Sequence, residues 1–358
     1  MSWKPSPLPY TLELETKPVL KRLPGAHAAL AELKASAKSI PNQEILINTL
    51  TIQEAKDSSE VENIVTTHDD IFKESLSENQ YVTLASKEVE NYISALKRGF
   101  GIVSRNKILT ANHLIEIQQV LEKNKAGFRK TPGTNLKNQR TGEVVYAPPQ
   151  HPQEIVDLMS NLEAYINDEG MSDYDPLVKM AIIHFQFESI HPFYDGNGRT
   201  GRILNVLYLV LSGLLDIPVL YLSRYVIQNK ETYYRLIQQV RDQQNWEEWL
   251  LFMIEAIEKT ARGTLRLVEQ IQEDMMYTKH LLRSRFKKIY SHEMLNHLFM
   301  HPYTKIEFVE KELEVSRPTA SSYLNKLAEA GVLTKSTHGK SNYYINNRLV
   351  RTLTGSIF

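Results

Sequence analysis

Twelve consecutive residues, His191 to Arg202 (HPFYDGNGRTGR), concentrate most of the chemistry this chain could perform. Gly196-Asn197-Gly198 is a glycine-rich turn set just before a helical stretch. Its backbone N–H groups can converge on one point where the helix dipole also favours negative charge. That is a cradle for an anion. Arg199 and Arg202 stand three apart at the start of the helix, on neighbouring parts of one surface, and guanidinium groups grip phosphate oxygens in bidentate fashion. Two of them suit more than one phosphate. Asp195 precedes the cradle and offers a hard carboxylate oxygen for Mg2+ shared with phosphate oxygens. His191 supplies an imidazole, whose ordinary pKa lets it take a proton near neutral pH. Phe193 reads as an apolar anchor for the loop, and Tyr194 receives no role.

The spacing matches neither G-x-x-x-x-G-K-(S/T) nor a G-x-G-x-x-G that follows a strand, so P-loop and Rossmann readings fail. It resembles the signature loop of Fic-domain proteins, H-x-F-x-(D/E)-G-N-G-R-x-x-R, with every defined position present, and the likeness extends over roughly residues 108–257. The resemblance implies a mainly α fold, a Fic-type helical core with a small β-hairpin flap. It also implies an enzyme that transfers AMP from ATP to a Ser, Thr or Tyr hydroxyl of a target protein and releases pyrophosphate. In that reading His191 is the general base and Asp195 the Mg2+ ligand. Gly196, Asn197, Gly198, Arg199, Thr200, Gly201 and Arg202 hold ATP, with Arg202 on the γ-phosphate. Such a transfer depends mainly on positioning and charge neutralisation, which a cradle, a metal and two arginines supply.

Far upstream, Ser58-Ser59-Glu60-Val61-Glu62-Asn63 resembles the inhibitory motif (S/T)-x-x-x-E-(G/N) of many Fic proteins, with Ser58, Glu62 and Asn63 at the defined positions. By resemblance Glu62 pairs with Arg202 and occupies the place of the γ-phosphate. The alternative is a solvent-exposed helix residue. The stretch Thr134 to Tyr146 resembles the flap over the site. Leu136, Val144 and Tyr146 are its docking-edge candidates, since an extended target segment can add to an exposed strand; a small packed hairpin is the other reading. Tyr234, within Tyr233-Tyr234-Arg235, is the nucleotide contact that the resemblance favours.

These residues need helices to position them. Pro176 suits a first helical turn, and the pattern Leu177, Met180, Ala181, His184, Phe185, Glu188 runs to a break at Pro192. Ile203, Val206, Leu207, Val210 and Leu211 then follow at i, i+3, i+4, i+7, i+8, the apolar stripe of a second helix from near Gly198 to Ser212. Further helices are expected over roughly 27–68 with a new element at Pro41, over 89–121, over 154–166 and over 246–285. Pro132-Gly133 is a turn signal, and Arg140-Thr141-Gly142 a hairpin tip before the β-prone Val144, Val145, Tyr146. Five prolines before residue 25 predict an extended surface arm rather than a long helix. Four regions result: an arm and helical region carrying the inhibitory motif (1–100), the catalytic core (101–260), a helical connector (261–284) and a C-terminal domain (285–358).

The C-terminal domain resembles a winged helix-turn-helix. Phe308, Val309 and Leu313 form one apolar face. Ser316 caps a second helix with Pro318 in its first turn, and two strands flank the tip Thr337 to Lys340. Residues 281–358 hold twelve Lys/Arg against six Asp/Glu, while the whole 358-residue chain balances 42 against 42. Global charge therefore selects no partner, and local charge leaves DNA open, read by Arg317, Thr319, Ser321, Ser322 and Lys326 with Lys335 and Lys340 on phosphates. A protein partner or dimerisation at this module is the other reading. Zero cysteines exclude disulfides, cysteine nucleophiles and Cys-based metal sites. No signal peptide or membrane span is legible, so a cytoplasmic protein is expected. Three activities stay open: an autoinhibited AMP-transferase that also modifies itself, an enzyme on the same scaffold that removes AMP or transfers another phosphate-containing group, and a DNA-binding regulator that uses ATP only as a signal.

Overall fold

The computed structural model describes residues 3–74, 83–137, 141–338 and 341–355. Arg140, Gly339 and Lys340, named above for the hairpin tip and the wing, lie outside these residues. In chain order the elements are α1 (Lys17–Ser39), α2 (Glu44–Val61), α3 (His68–Glu74), α4 (Leu84–Asn106), α5 (Ala111–Glu122), β1 (Leu136–Lys137), β2 (Val144–Tyr146), α6 (Pro152–Asn167), α7 (Pro176–Ile190), α8 (Asn197–Leu211), α9 (Ser223–Gln228), α10 (Lys230–Gln243) and α11 (Trp246–Arg285). Then come α12 (His292–Met300), β3 (Tyr303–Thr304), α13 (Ile306–Glu312), α14 (Arg317–Glu329), β4 (Thr334–His338), β5 (Ser341–Ile345) and α15 (Asn347–Thr354). The protein is mainly helical, as expected.

Helix α7 is the spine. It is buried almost all round, from Leu177 to Ile190, and the equally buried α8 packs against it. Apolar residues on every face mark a helix enclosed by others. Trp249 of α11 closes one side, donating its indole N–H to the Ala181 carbonyl at 3.1 Å. Helices α4, α5 and α6 cover the rest.

One expectation changes. Pro18 and Pro24 do not prevent a helix, because Pro18 occupies the first turn, where no N–H is needed, and Pro24 sits inside α1. Burial of Val19, Leu23, Ala26, Leu30 and Leu33 along α11 outweighs the one lost hydrogen bond. Only residues before Lys17 form an extended arm, and it is tied down: Leu8 exchanges hydrogen bonds with the Asn161 side chain at 2.6 and 2.9 Å. Positions 100, 260 and 284, given above as divisions, lie within helices. Helix α4 crosses the first, and α11, 40 residues or about 60 Å long, crosses the other two.

The C-terminal part places α13 and α14 four residues apart, followed by the β4–β5 hairpin, with β3 pairing antiparallel to β5 in the order β3-β5-β4. Its α12 packs against α2. Gln53 of α2 donates to the Leu353 carbonyl at 2.8 Å, and the Tyr303 hydroxyl donates to Asp69 at 2.7 Å. Helix α2 thus lies between the core and the C-terminal part.

Polar groups on α2 are buried in number. Glu54, 1 % exposed, accepts from the Ser223 N–H at 2.9 Å, from the Ser223 hydroxyl, and from the Tyr92 hydroxyl at 3.1 Å. Burial nevertheless raises its pKa to about 7, and burial raises that of Asp57 to about 6. A carboxyl group whose folded pKa exceeds its unfolded value favours folding in its protonated form. That contribution is present at low pH and lost as pH rises from about 4.5 to 7. Replacing Glu54 by Gln should therefore improve thermal stability relative to wild type progressively across this interval. A melting-temperature difference that is the same at both ends would refute the assignment.

Candidate active site

The loop from His191 to Gly196 joins α7 to α8, and its shape follows from three local devices. His191 ends α7 in the left-handed conformation (φ 50°), its N–H capping the Phe187 carbonyl at 2.9 Å. Asn197 closes the loop on itself, its amide exchanging hydrogen bonds with the backbone of Phe193, both at 2.8 Å. Phe193 is fully buried between Phe128 and Phe187, the anchor expected of it. Gly196 has φ +75°, and a Cβ there would strike Glu122. Glycine is required at this point by both conformation and space.

His191 is half-buried. The packing around its ring, with the Arg129 and Arg241 guanidinium groups nearby, lowers its pKa to about 3. The imidazole is therefore neutral at physiological pH and able to accept a proton. Asp195 is exposed, with Oδ1 accepting the Gly196 N–H at 2.7 Å. A single exposed carboxylate beside a phosphate cradle fits Mg2+, which takes one or two protein oxygens and completes its shell with water and phosphate.

Arg202 is fully buried and held by the last turn of α2 and the residue that follows it. Its Nε donates to Ser58 Oγ at 2.8 Å, and its Nη2 to the Ser58 carbonyl at 2.9 Å and to Glu62 Oε1 at 2.8 Å. Burial works against a charge on Glu62, but the Arg202 guanidinium outweighs it and the net pKa shift is downward. Glu62 follows the last residue of α2, and Asn63 turns left-handed (φ 64°), its side chain accepting from Lys230 at 2.9 Å. A motif that allows Gly or Asn after the glutamate matches this backbone requirement. Gly198 lies against the pair: a Cβ there would strike Glu62.

The other cradle residues divide. Thr200 and Gly201 are buried in the first turn of α8, where Gly201 faces Glu188. Arg199 is engaged elsewhere than on the cradle. Its guanidinium, 5 % exposed, pairs with Glu88 of α4 at 2.5 Å and Glu122 of α5 at 2.8 Å, so it clamps the start of α8 to both helices. Tyr234 on α10 has an exposed ring edge-on to Tyr233, and its hydroxyl lies in the field of Glu62 and Arg202.

The flap candidates separate as well. Leu136 pairs with Tyr146 across the hairpin. Val144 is exposed, 55 %, whereas Tyr146 is 5 % exposed and points inward. Tyr146 donates to the Ser189 carbonyl at 2.9 Å and lies under the Arg241 guanidinium at 3.9 Å from the ring centre. It anchors the flap, because its aromatic face and hydroxyl both find buried partners.

Sequence reasoning missed Arg129. Its fully buried side chain donates to the carbonyls of His191 (2.7 Å), Pro149 (2.6 Å) and Ile190 (3.2 Å), fastening the start of the His191–Gly196 loop to the segment that follows β2. Its partners are backbone groups up to 62 residues away, which leave no mark on residue type. Glu88, Glu122 and Arg241 were missed because their side-chain partners lie far along the chain, 111, 77 and 52 residues away.

Three family models match the chain: Fic/DOC family N-terminal over residues 20–101, Fic/DOC family over 108–209, and the C-terminal domain of SoFic-like protein adenylyltransferases over 275–349. The chain belongs to the Fic/DOC family. It is 31 % identical over 104 residues to protein adenylyltransferase fic-1 of Caenorhabditis briggsae, a match spanning 28 % of this chain and 20 % of that one. Its match to a probable protein adenylyltransferase of Aquifex aeolicus is 25 % identical and spans 75 % of this chain and 76 % of the relative. In fold it resembles a Fic family protein from Desulfovibrio desulfuricans (TM-score 0.60, 19 % identity, 95 % and 98 % of the two chains). A Fic-domain signalling protein from Bacteroides thetaiotaomicron is similar over 67 % of this chain and 95 % of its own (TM-score 0.52, 18 % identity). Among the described residues no helix is long and apolar enough to cross a membrane.

Replacing Arg129 by Met should leave three buried carbonyls without their donor, each costing about 1–3 kcal/mol. Urea unfolding should show a loss of at least about 3 kcal/mol. Lys at this position should recover only part, since a point charge cannot reach carbonyls in three directions. Wild-type stability in the Met variant would show that the fastening is unimportant.

Proposed function

We propose that this Fic/DOC protein is a protein adenylyltransferase held inactive by Glu62. The observation that carries the reading is the ion pair between Glu62 and Arg202, beside the mouth of the Gly196–Gly198 turn. The reaction is attack of a target Ser, Thr or Tyr hydroxyl on the α-phosphorus of ATP. One P–O bond forms as the bond to pyrophosphate breaks, and the hydroxyl proton passes to neutral His191. The loop backbone and the start of α8 bind the polyphosphate, and Arg202 takes the γ-phosphate when Glu62 releases it. Mg2+, bound through Asp195 and phosphate oxygens, would neutralise phosphate charge. Arg199, clamped by two carboxylates, keeps the loop in place. The flap presents the exposed Val144 side of its hairpin to an extended target segment, with Tyr146 as the hinge pin beneath it.

Inhibition follows from charge. Glu62 neutralises the cation that a γ-phosphate needs and sets a carboxylate where that phosphate would lie, so ATP is either excluded or turned away from its reactive pose. Release of Glu62 requires movement of the end of α2, which the C-terminal part contacts from its far side. A partner at the helix-turn-helix, whether protein or DNA, would act on Glu62 through those contacts. Arg317 is tied to Glu310 at 3.8 Å and Lys335 to Asn325 at 2.9 Å, so part of the basic face is already engaged within the chain. That favours a protein partner or a second copy over DNA.

Labelled ATP with Mg2+ tests the reading. Glu62→Gly should raise AMP incorporation, into itself or into lysate proteins, by at least about tenfold, equivalent to losing one charged hydrogen bond of about 1.5–3 kcal/mol. His191→Ala in that background should abolish incorporation while ATP still binds. Equal incorporation by wild type and Glu62→Gly would remove the inhibition. No incorporation by either, with ATP bound, would remove the transferase.

A further inference from the structure

The C-terminal part holds a cluster that the AMP-transfer reading does not use. His297 lies in the last turn of α12, His301 caps that helix four residues on, and Glu312 ends α13 opposite them. His297 Nδ1 is 2.6 Å from Glu312 Oε2, and His301 Nε2 is 2.8 Å from Glu312 Oε1. One ligand atom from each residue falls within 4.8 Å of the others. The far nitrogen of His297, Nε2, is 2.6 Å from the Thr304 hydroxyl on β3. His297 is 1 % exposed, while the side chains of His301 and Glu312 are 27 % and 37 % exposed.

We propose that His297, His301 and Glu312 form a binding site for a divalent transition-metal ion of the zinc class. An imidazole in the last turn of a helix and a second on its cap residue, four positions on, present their nitrogens to one point, and a carboxylate completes a facial set of three ligands. Two nitrogens and one oxygen suit Zn2+ and its first-row neighbours rather than Mg2+ or Ca2+, which take oxygen shells. The geometry is that of a site with one position left for water, because the partly exposed sides of His301 and Glu312 leave the cluster open to solvent.

Thr304 supplies what such a site requires beyond its ligands. With Nε2–H donated to the Thr304 hydroxyl, the Nδ1 lone pair of His297 is directed at the cluster, the tautomer a metal needs. Without metal, ring N–H groups bridge the same atoms to Glu312, and binding moves each proton to the other nitrogen of its ring, on His297 the one that faces Thr304, as the ion takes its place. The carboxylate between the rings serves both states. A bound ion would cross-link α12 to α13 and stiffen the helix that packs on α2.

The test uses the full chain, freed of any polyhistidine tag and stripped with chelator, titrated with Co2+ and then Zn2+. One equivalent of Co2+ should give the visible absorption of a four-coordinate ion, Zn2+ should displace it, and the metal-loaded chain should melt at a higher temperature. Thr304→Val should weaken binding about 10–100-fold. His301→Ala and Glu312→Gln, at partly exposed positions, should abolish the one-equivalent signal while metal-free circular dichroism matches wild type. Absence of a saturable signal in wild type would overturn the proposal. So would the same affinity in both variants, which would place the bound metal elsewhere.

Discussion

A fully buried guanidinium, that of Arg202, constrains more of this molecule than any other group. A charge removed from water must be met by acceptors, or the fold loses several kcal/mol. The acceptors here are the hydroxyl and carbonyl of Ser58 and the carboxylate of Glu62, all on or at the end of α2. The N-terminal region is thereby bound to the core through the cation that a polyphosphate would use. In the proposed reaction stability and catalysis draw on one charge, and they cannot both have it in full. The proposed inhibition is a consequence of that competition.

Around this pair the site is stiff for reasons that are mostly backbone. Asn197 closes the loop with two hydrogen bonds, Phe193 fills the space beneath it, and Arg129 holds the carbonyl of His191 from behind. Arg199 draws α4 and α5 onto the start of α8 through Glu88 and Glu122. Together these devices fix the backbone that carries His191 and Asp195. Positioning of this kind accounts for the large number of buried polar side chains in a small volume.

Helix α2 links the core to the rest. One side carries Ser58 and leads to Glu62; the other meets α12 and the end of α15. Its buried Glu54 and Asp57 have pKa values near 7 and 6, so the helix is held by groups that resist ionisation. A helix whose hold is partly offset by such groups is a suitable moving part, since less free energy is needed to displace it.

The sequence by itself was enough for the loop and the mainly helical class, because each depends on short-range pattern. Glycines, a capping histidine and two arginines act within twelve residues, and α7 and α8 announce themselves by apolar spacing. It was also enough to link Glu62 to Arg202, through resemblance to a motif rather than through any contact legible in the chain. Tertiary structure alone decided the rest. It set Arg199 between Glu88 and Glu122, Tyr146 beneath Arg241, and Pro18 and Pro24 in a helix, because carboxylates, carbonyls and apolar surface far along the chain offered partners. Arg129 had no sequence signal, since its partners are carbonyl groups that every residue carries. Long-range burial selects among the roles that residue chemistry allows, and that selection is made only when the chain has folded.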